Sequence, residues 1–156
     1  MMKLQSKQTL WLTATGYGIM VLLITLAITL SVYPGGYDYM YDESSQQITL
    51  ERGMFVKEDI TIEVTDNPSL QYVLYQTEVN QAIQSWVMLL TLGILAVYLL
   101  QRIIPAYRKR KENGFKGTNI LHAVLLGVSI FMMIYYLTAL TGSIQYMEQV
   151  FNTAID

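Results

Sequence analysis

Residues 120–140 read ILHAVLLGVSIFMMIYYLTAL, a stretch with no charged side chain and little that is polar beyond His122, Ser129 and Thr138. The hydrocarbon core of a bilayer is about 30 Å thick and an α-helix rises about 1.5 Å per residue, so about 20 such residues cross it. The stretch therefore reads as a transmembrane helix, and two others precede it. Residues 10–32 carry no charge either. Residues 82–104 have a shorter apolar centre from Trp86 to Leu100, which Ala82, Ile83, Ile103 and Ile104 extend. Trp86 suits the outer interface there, and Arg102 reaches back to the inner one. The rival for each is a buried helix of a soluble protein. A chain of 156 residues is too short to bury three helices that are apolar all round.

The composition agrees. Of all residues 53% are hydrophobic and 14% charged, where a soluble domain carries roughly a quarter charged, and that deficit points to the membrane. No cysteine is present, which excludes disulfides, thiolate metal sites, a cysteine nucleophile and lipidation at cysteine, and fits a bacterial envelope protein. The net charge of −2 is less telling than its distribution. Lys3 and Lys7 precede the first helix, and Arg102, Arg108, Lys109, Arg110, Lys111 and Lys116 lie at or after the end of the second; only Arg52 and Lys57 fall between the first two. Basic residues stay inside, so the N-terminus and the basic loop are expected in the cytoplasm, and residues 33–81 and the C-terminus outside. A cleaved signal peptide is the alternative for the first helix, but the apolar run is long and Ser31 to Gly35 show no small-x-small pattern.

Alternation marks strands in the outer segment. Ile48 and Leu50 alternate with Thr49 and Glu51, Ile60, Ile62 and Val64 with Thr61 and Glu63, and Tyr72 to Val79 is rich in β-formers. Arg52-Gly53 and Asp66-Asn67-Pro68-Ser69 mark turns. Three strands alone are marginal and need an apolar cover. From Ile144, apolar residues recur at Met147, Phe151, Ala154 and Ile155 with helical spacing, a stripe that either docks on the sheet or lies on the outer leaflet. The expected fold is a mainly α membrane protein: cytoplasmic N-terminus 1–9, transmembrane helices 10–32, 82–104 and 120–142, an extracellular three-stranded β module at 33–81, a basic cytoplasmic loop at 105–119, and an extracellular amphipathic tail at 143–156.

Few residues carry chemistry. His122, the single histidine, reads as an interfacial residue rather than a base or ligand. No carboxylate pair lies in a span, which argues against a pump or intramembrane protease. Outside, Tyr37, Asp38, Tyr39, Tyr41, Asp42 and Glu43 form an acidic, aromatic strip that is a candidate for a partner or cationic ligand; the plainer readings are a solvated acidic face and a headgroup belt of Tyr33, Tyr37, Tyr39 and Tyr41. Arg108, Lys109, Arg110 and Lys111 are candidates for anionic lipid, though topology alone asks for them. Ala14 with Gly18, and Ala123 with Gly127, are small-xxx-small pairs that suit close helix packing inside the bundle or in a homo-oligomer. No metal or cofactor site and no nucleic-acid reading domain is visible.

Tyr107 to Phe115 (YRKRKENGF), followed by Asn119, Leu121 and an apolar helix, resembles the loop of the DUF2975 family of small bacterial membrane proteins. The likeness covers the second and third helices and the loop between them. Members usually have a fourth membrane helix where this chain has its tail, and the family brings no established activity. The expected function is that of a non-catalytic accessory, regulatory or immunity-type membrane protein acting through its outer module on another membrane or extracellular protein. The alternative is a subunit of a transporter or channel complex. An enzyme would need a nucleophile, base and acid at usable spacing, and none is found.

Overall fold

A computed structural model of the chain describes residues 2–30, 32–42, 44, 46–54, 56–63, 70–108 and 117–155. In chain order the elements are α1 (Met2–Leu30), β1 (Tyr37–Asp42), β2 (Gln47–Arg52), β3 (Glu58–Glu63), α2 (Leu70–Arg108) and α3 (Gly117–Ile155). The protein is mostly helical, with one small antiparallel sheet in the order β1-β2-β3. Two helices, with apolar spans Tyr72–Pro105 and Asn119–Ile155, are long and apolar enough to cross a membrane. Only 6% of the most apolar window of each is buried within the chain, unlike the core helix of a soluble domain. The apolar run described in α1, Ala14–Leu30, is shorter, so among the described residues two helices reach spanning length.

The chain divides into two compact units, one made of residues 1–25 and 88–135, the other of residues 26–87 and 136–156. The first is helical and leaves large apolar side chains bare: Trp11 is 74% exposed and Phe131 70%. In it Gly16, Tyr17 and Met20 face Ile94, Val97 and Tyr98 across a cavity of about 120 Å³, and the Arg102 guanidinium stands 5.5 Å over the Tyr98 ring.

The second unit holds the sheet. Strand alternation sorts its side chains into two faces. One face carries the rows Tyr37, Arg52, Glu58; Tyr39, Leu50, Ile60; and Tyr41, Ile48, Ile62, each row aligned by the register. The other face is polar: the Thr49 and Thr61 hydroxyls meet at 3.0 Å, and the Lys57 ammonium donates to Asp38 at 3.2 Å and, more closely, to Glu51. The apolar face lies with buried stripes of two helices. On α2, Tyr75, Val79, Ala82 and Ser85 are buried; on α3, Leu140, Ser143, Met147, Val150 and Phe151 are buried, both spacings being helical. Phe151 meets Tyr37 edge to face with ring centres 6.4 Å apart, and the Arg52 guanidinium lies 4.5 Å over its ring.

Two glycines close the open end of the β1/β2 pair. Gly53 donates its N–H to the Gly36 carbonyl at 3.1 Å. Gly36 has φ +58° and Gly53 φ +126°, a region glycine enters freely. A Cβ on Gly36 would lie 2.7 Å from the Gly53 carbonyl carbon, so the approach has no room for a side chain.

Several expectations need correction. Tyr72 to Val79 is not the third strand but the first turns of α2, because its buried residues Tyr75 and Val79 continue through Ala82 and Ser85 at helical spacing. The missing strand is β1, Tyr37–Asp42, whose tyrosines alternate with Asp38, Met40 and Asp42. Of the tyrosines expected in a headgroup belt, Tyr33 and Tyr37 are 1% and 4% exposed, buried in the sheet unit. Residues 82–104 are the inner part of a longer helix, and residues 143–155 continue α3 without a break. Within the apolar stripe of the C-terminal end, Met147 and Phe151 are buried, whereas Ile155 is 60% exposed.

Candidate functional site

The feature of the sheet unit most suited to recognition is a cleft of about 200 Å³ between the apolar sheet face and the start of α2. The Tyr39 and Tyr41 rings come from β1, Ile48 and Leu50 from β2, and Tyr72 and Val73 from the first turn of α2. Tyr75 and Gln76 complete the lining. The Gln76 side-chain amide donates to the Tyr39 hydroxyl at 2.8 Å, which ties strand to helix at that point. Among the described residues, no charged side chain is part of the lining.

Behind it the unit is built from buried tyrosines. The Tyr75 ring meets Tyr37 edge to face at 6.5 Å, and its hydroxyl is buried with no hydrogen-bond partner among the described residues. The Tyr33 hydroxyl donates to the Tyr37 carbonyl at 2.7 Å and lies 3.9 Å from the Met147 sulfur. Burial pushes the Tyr33 and Tyr75 hydroxyls well above their ordinary value, and neighbouring tyrosines and Asp38 add to it. Tyr37 shifts the same way through burial and then the Glu148 carboxylate. Burial thus keeps these phenols neutral.

The electrostatics are one-sided. The unit contains eleven acidic residues and two bases, Arg52 and Lys57. Both bases are engaged: Arg52 donates to Glu58 at 2.6 Å and to Asn152 at 3.3 Å, while Lys57 binds Glu51 and Asp38. The hydrogen bond to Glu51 leads in pushing the Lys57 ammonium above its ordinary value.

No family model, curated protein or solved structure matches this chain. The functional reading therefore rests on the residues themselves.

The strip expected from sequence is only partly brought together. Tyr39 and Tyr41 line the cleft, whereas Tyr37 is buried beneath Phe151 and Tyr75. Asp38 is on the opposite face, where its carboxylate accepts from Lys57 and from the Tyr39 N–H. Asp42 accepts from the Ser44 N–H and hydroxyl at 2.9 and 2.6 Å, and Glu43 lies outside the described residues. Sequence reading missed Tyr72, Tyr75 and Gln76; the signal was the helical stripe from Tyr72 through Val79 into Ala82. Ala14, Gly18, Ala123 and Gly127 are exposed in the single chain, and a Cβ on Gly18 or Gly127 would meet no described atom within 4 Å. Arg108 ends α2, and Lys109, Arg110 and Lys111 lie outside the described residues. His122, in the first unit, has no role in the cleft.

Proposed function

We propose that the chain is a non-catalytic, multi-pass protein of the cell membrane, held by three helices with its N-terminus in the cytoplasm and its C-terminus outside, and that its sheet unit recognises a partner in an accessory, regulatory or immunity-type role. One observation carries this reading: α2 and α3 leave their most apolar windows unburied, yet the same helices bury a stripe of side chains in a unit with an aromatic cleft and a large excess of acid. Apolar surface left bare calls for lipid. The first unit holds eight bases and one acid, against two and eleven in the second, and that asymmetry supports the proposed orientation. The partner is another membrane or extracellular protein, and the DUF2975 resemblance stays within this reading without adding an activity.

The absence of cysteine makes a direct test available. A single cysteine at Met40, which is 64% exposed, should react with a membrane-impermeant maleimide in intact cells. One at Tyr107, 63% exposed, should react only after permeabilisation. Labelling of both sites in intact cells would overturn the topology. Ion flux through liposomes containing the purified chain alone would move the protein to the alternative, a transporter or channel subunit.

A further inference from the structure

We propose that the groove between α1 and α2 in the first unit is a site for one anionic phospholipid, with an acyl chain lying against Met20, Ile94 and Val97 and the phosphate diester held by Arg102. The proposal rests on the reading of the chain as membrane-spanning, with the basic end of α2 at the inner surface, and adds a ligand to it.

Three observations converge. First, the groove is open: Gly16, Tyr17, Val97, Tyr98 and Gln101 are exposed, and Met20 and Ile94 are half-buried, so each wall presents surface to a ligand. A Cβ on Gly16 would meet no described atom within 4 Å, which leaves that part of the wall unfilled. Second, the lining is graded along α2. Ile94 and Val97 are aliphatic, Tyr98 and Gln101 carry polar ends, and Arg102 follows with its guanidinium 5.5 Å over the Tyr98 ring, within the distance at which ring and cation attract. At 1.5 Å rise per residue, about 12 Å of helix separates Ile94 from Arg102. Third, the unit carries eight bases and one acid, so an excess of positive charge remains even with that acid paired to a base.

Together these features describe an amphiphile with a slim apolar tail and an anionic head. A helix is about 10 Å across with its side chains and is too broad to enter a cavity of about 120 Å³, whereas an acyl chain is far slimmer. The guanidinium fork matches phosphate oxygens in pairs, and the Gln101 amide brings further donors. A zwitterionic lipid offers the same tail and phosphate but adds a trimethylammonium group, which the basic field repels.

The test follows the full chain in maltoside micelles by native mass spectrometry, titrated with dioleoyl phosphatidylglycerol or dioleoyl phosphatidylcholine. The first phosphatidylglycerol should bind at least about fivefold more tightly than phosphatidylcholine, the scale of one basic contact near a membrane surface. Arg102→Gln should bring the two lipids within about twofold, whereas Arg102→Lys, which keeps the charge and loses the fork, should retain a preference of about threefold. Gly16→Leu fills the groove and should weaken both lipids by at least about fivefold. Because the leucine enters open space and favours the helix, its melting temperature should not fall. Replacing Arg110 and Lys111 together by Gln tests general attraction to the basic loop and should change the preference by less than about twofold. Equal affinity for the two lipids, unchanged binding in Gly16→Leu, a preference lost without Arg110 and Lys111 but kept without Arg102, tighter binding of free oleate, or a chain dimer that displaces the bound lipid would each overturn the proposal. Binding in micelles does not depend on which side of the membrane either terminus occupies, so it and the cysteine labelling at Met40 and Tyr107 fail separately.

Discussion

Phe131 and Phe151 stand on the same helix and meet opposite surroundings. Phe131, in the first unit, is 70% exposed, and Phe151, in the second, is 1% exposed between Tyr37 and Arg52. The residue type is identical and so is the local conformation; the difference lies in what each unit offers. Around Phe131 the described residues provide little cover, and on the membrane reading lipid provides it. Around Phe151 a sheet does, and water is excluded by protein. A hydrophobicity profile scores both alike, because it records what a side chain avoids and not what it touches.

The largest test of this comparison is to remove the α3 end altogether. A chain ending at Ser143 loses Met147, Val150 and Phe151, all buried. At about 1.5–3 kcal/mol for each large apolar side chain, the loss is an upper estimate of roughly 5–9 kcal/mol, comparable to the whole stability of a small domain. Amide exchange in β2 and β3 should rise to near that of an open chain. Retained protection of the Ile48 and Ile60 amides would show that the sheet does not depend on α3.

A single side chain gives a smaller and cleaner contrast. Phe151→Ala should lower the stability of the sheet unit by about 3–5 kcal/mol, whereas Phe131→Ala should change it by less than about 0.5 kcal/mol, because the second removes no protein contact of consequence. Thermal melting of both variants in the same detergent reads the difference. Equal melting points would erase the distinction between the two units.

The smallest expected effect is at alkaline pH. Tyr33, Tyr37 and Tyr75 are all raised by burial in the folded chain, from a value of 10.0 in the open one. The folded state thus favours the neutral phenol. Its contribution is complete below pH 10.0 and is lost as pH rises through the raised folded values, since the unfolded chain releases those protons first. Tyrosinate absorbance at 295 nm, compared with Tyr33→Phe and Tyr75→Phe variants, should show these two phenols ionising only as sheet amides lose protection. Their ionisation near pH 10.0 with the sheet intact would place them in water.

The legible part of the fold was the part whose pattern is long and local. The charge-free run at residues 120–140 and the alternation of Ile48 and Leu50 with Thr49 and Glu51, and of Ile60 and Ile62 with Thr61 and Glu63, each declare an element within a few residues. Tyr72 to Val79 misled because Val73, Thr77 and Val79 favour strands on propensity, while the helical stripe that outweighs them appears only when Ala82 and Ser85 are included. Tyrosine suits a headgroup layer and a sheet face equally, so the tyrosines of Tyr37–Asp42 do not by themselves declare a strand. Asp38 and Asp42 neighbour the tyrosines in sequence, yet strand alternation sends them to the face opposite Tyr39 and Tyr41.

By itself the sequence determined the apolar helices, the segregation of acids from bases, the two central strand patterns and the absence of thiol chemistry, since each depends on side-chain type and spacing along one segment. Tertiary structure alone decided that α3 covers the sheet with Met147 and Phe151, and that Tyr39, Tyr41, Tyr72 and Tyr75 share one cleft. Those outcomes join residues far apart in the chain. They follow from which apolar faces find each other, and no local pattern records that choice.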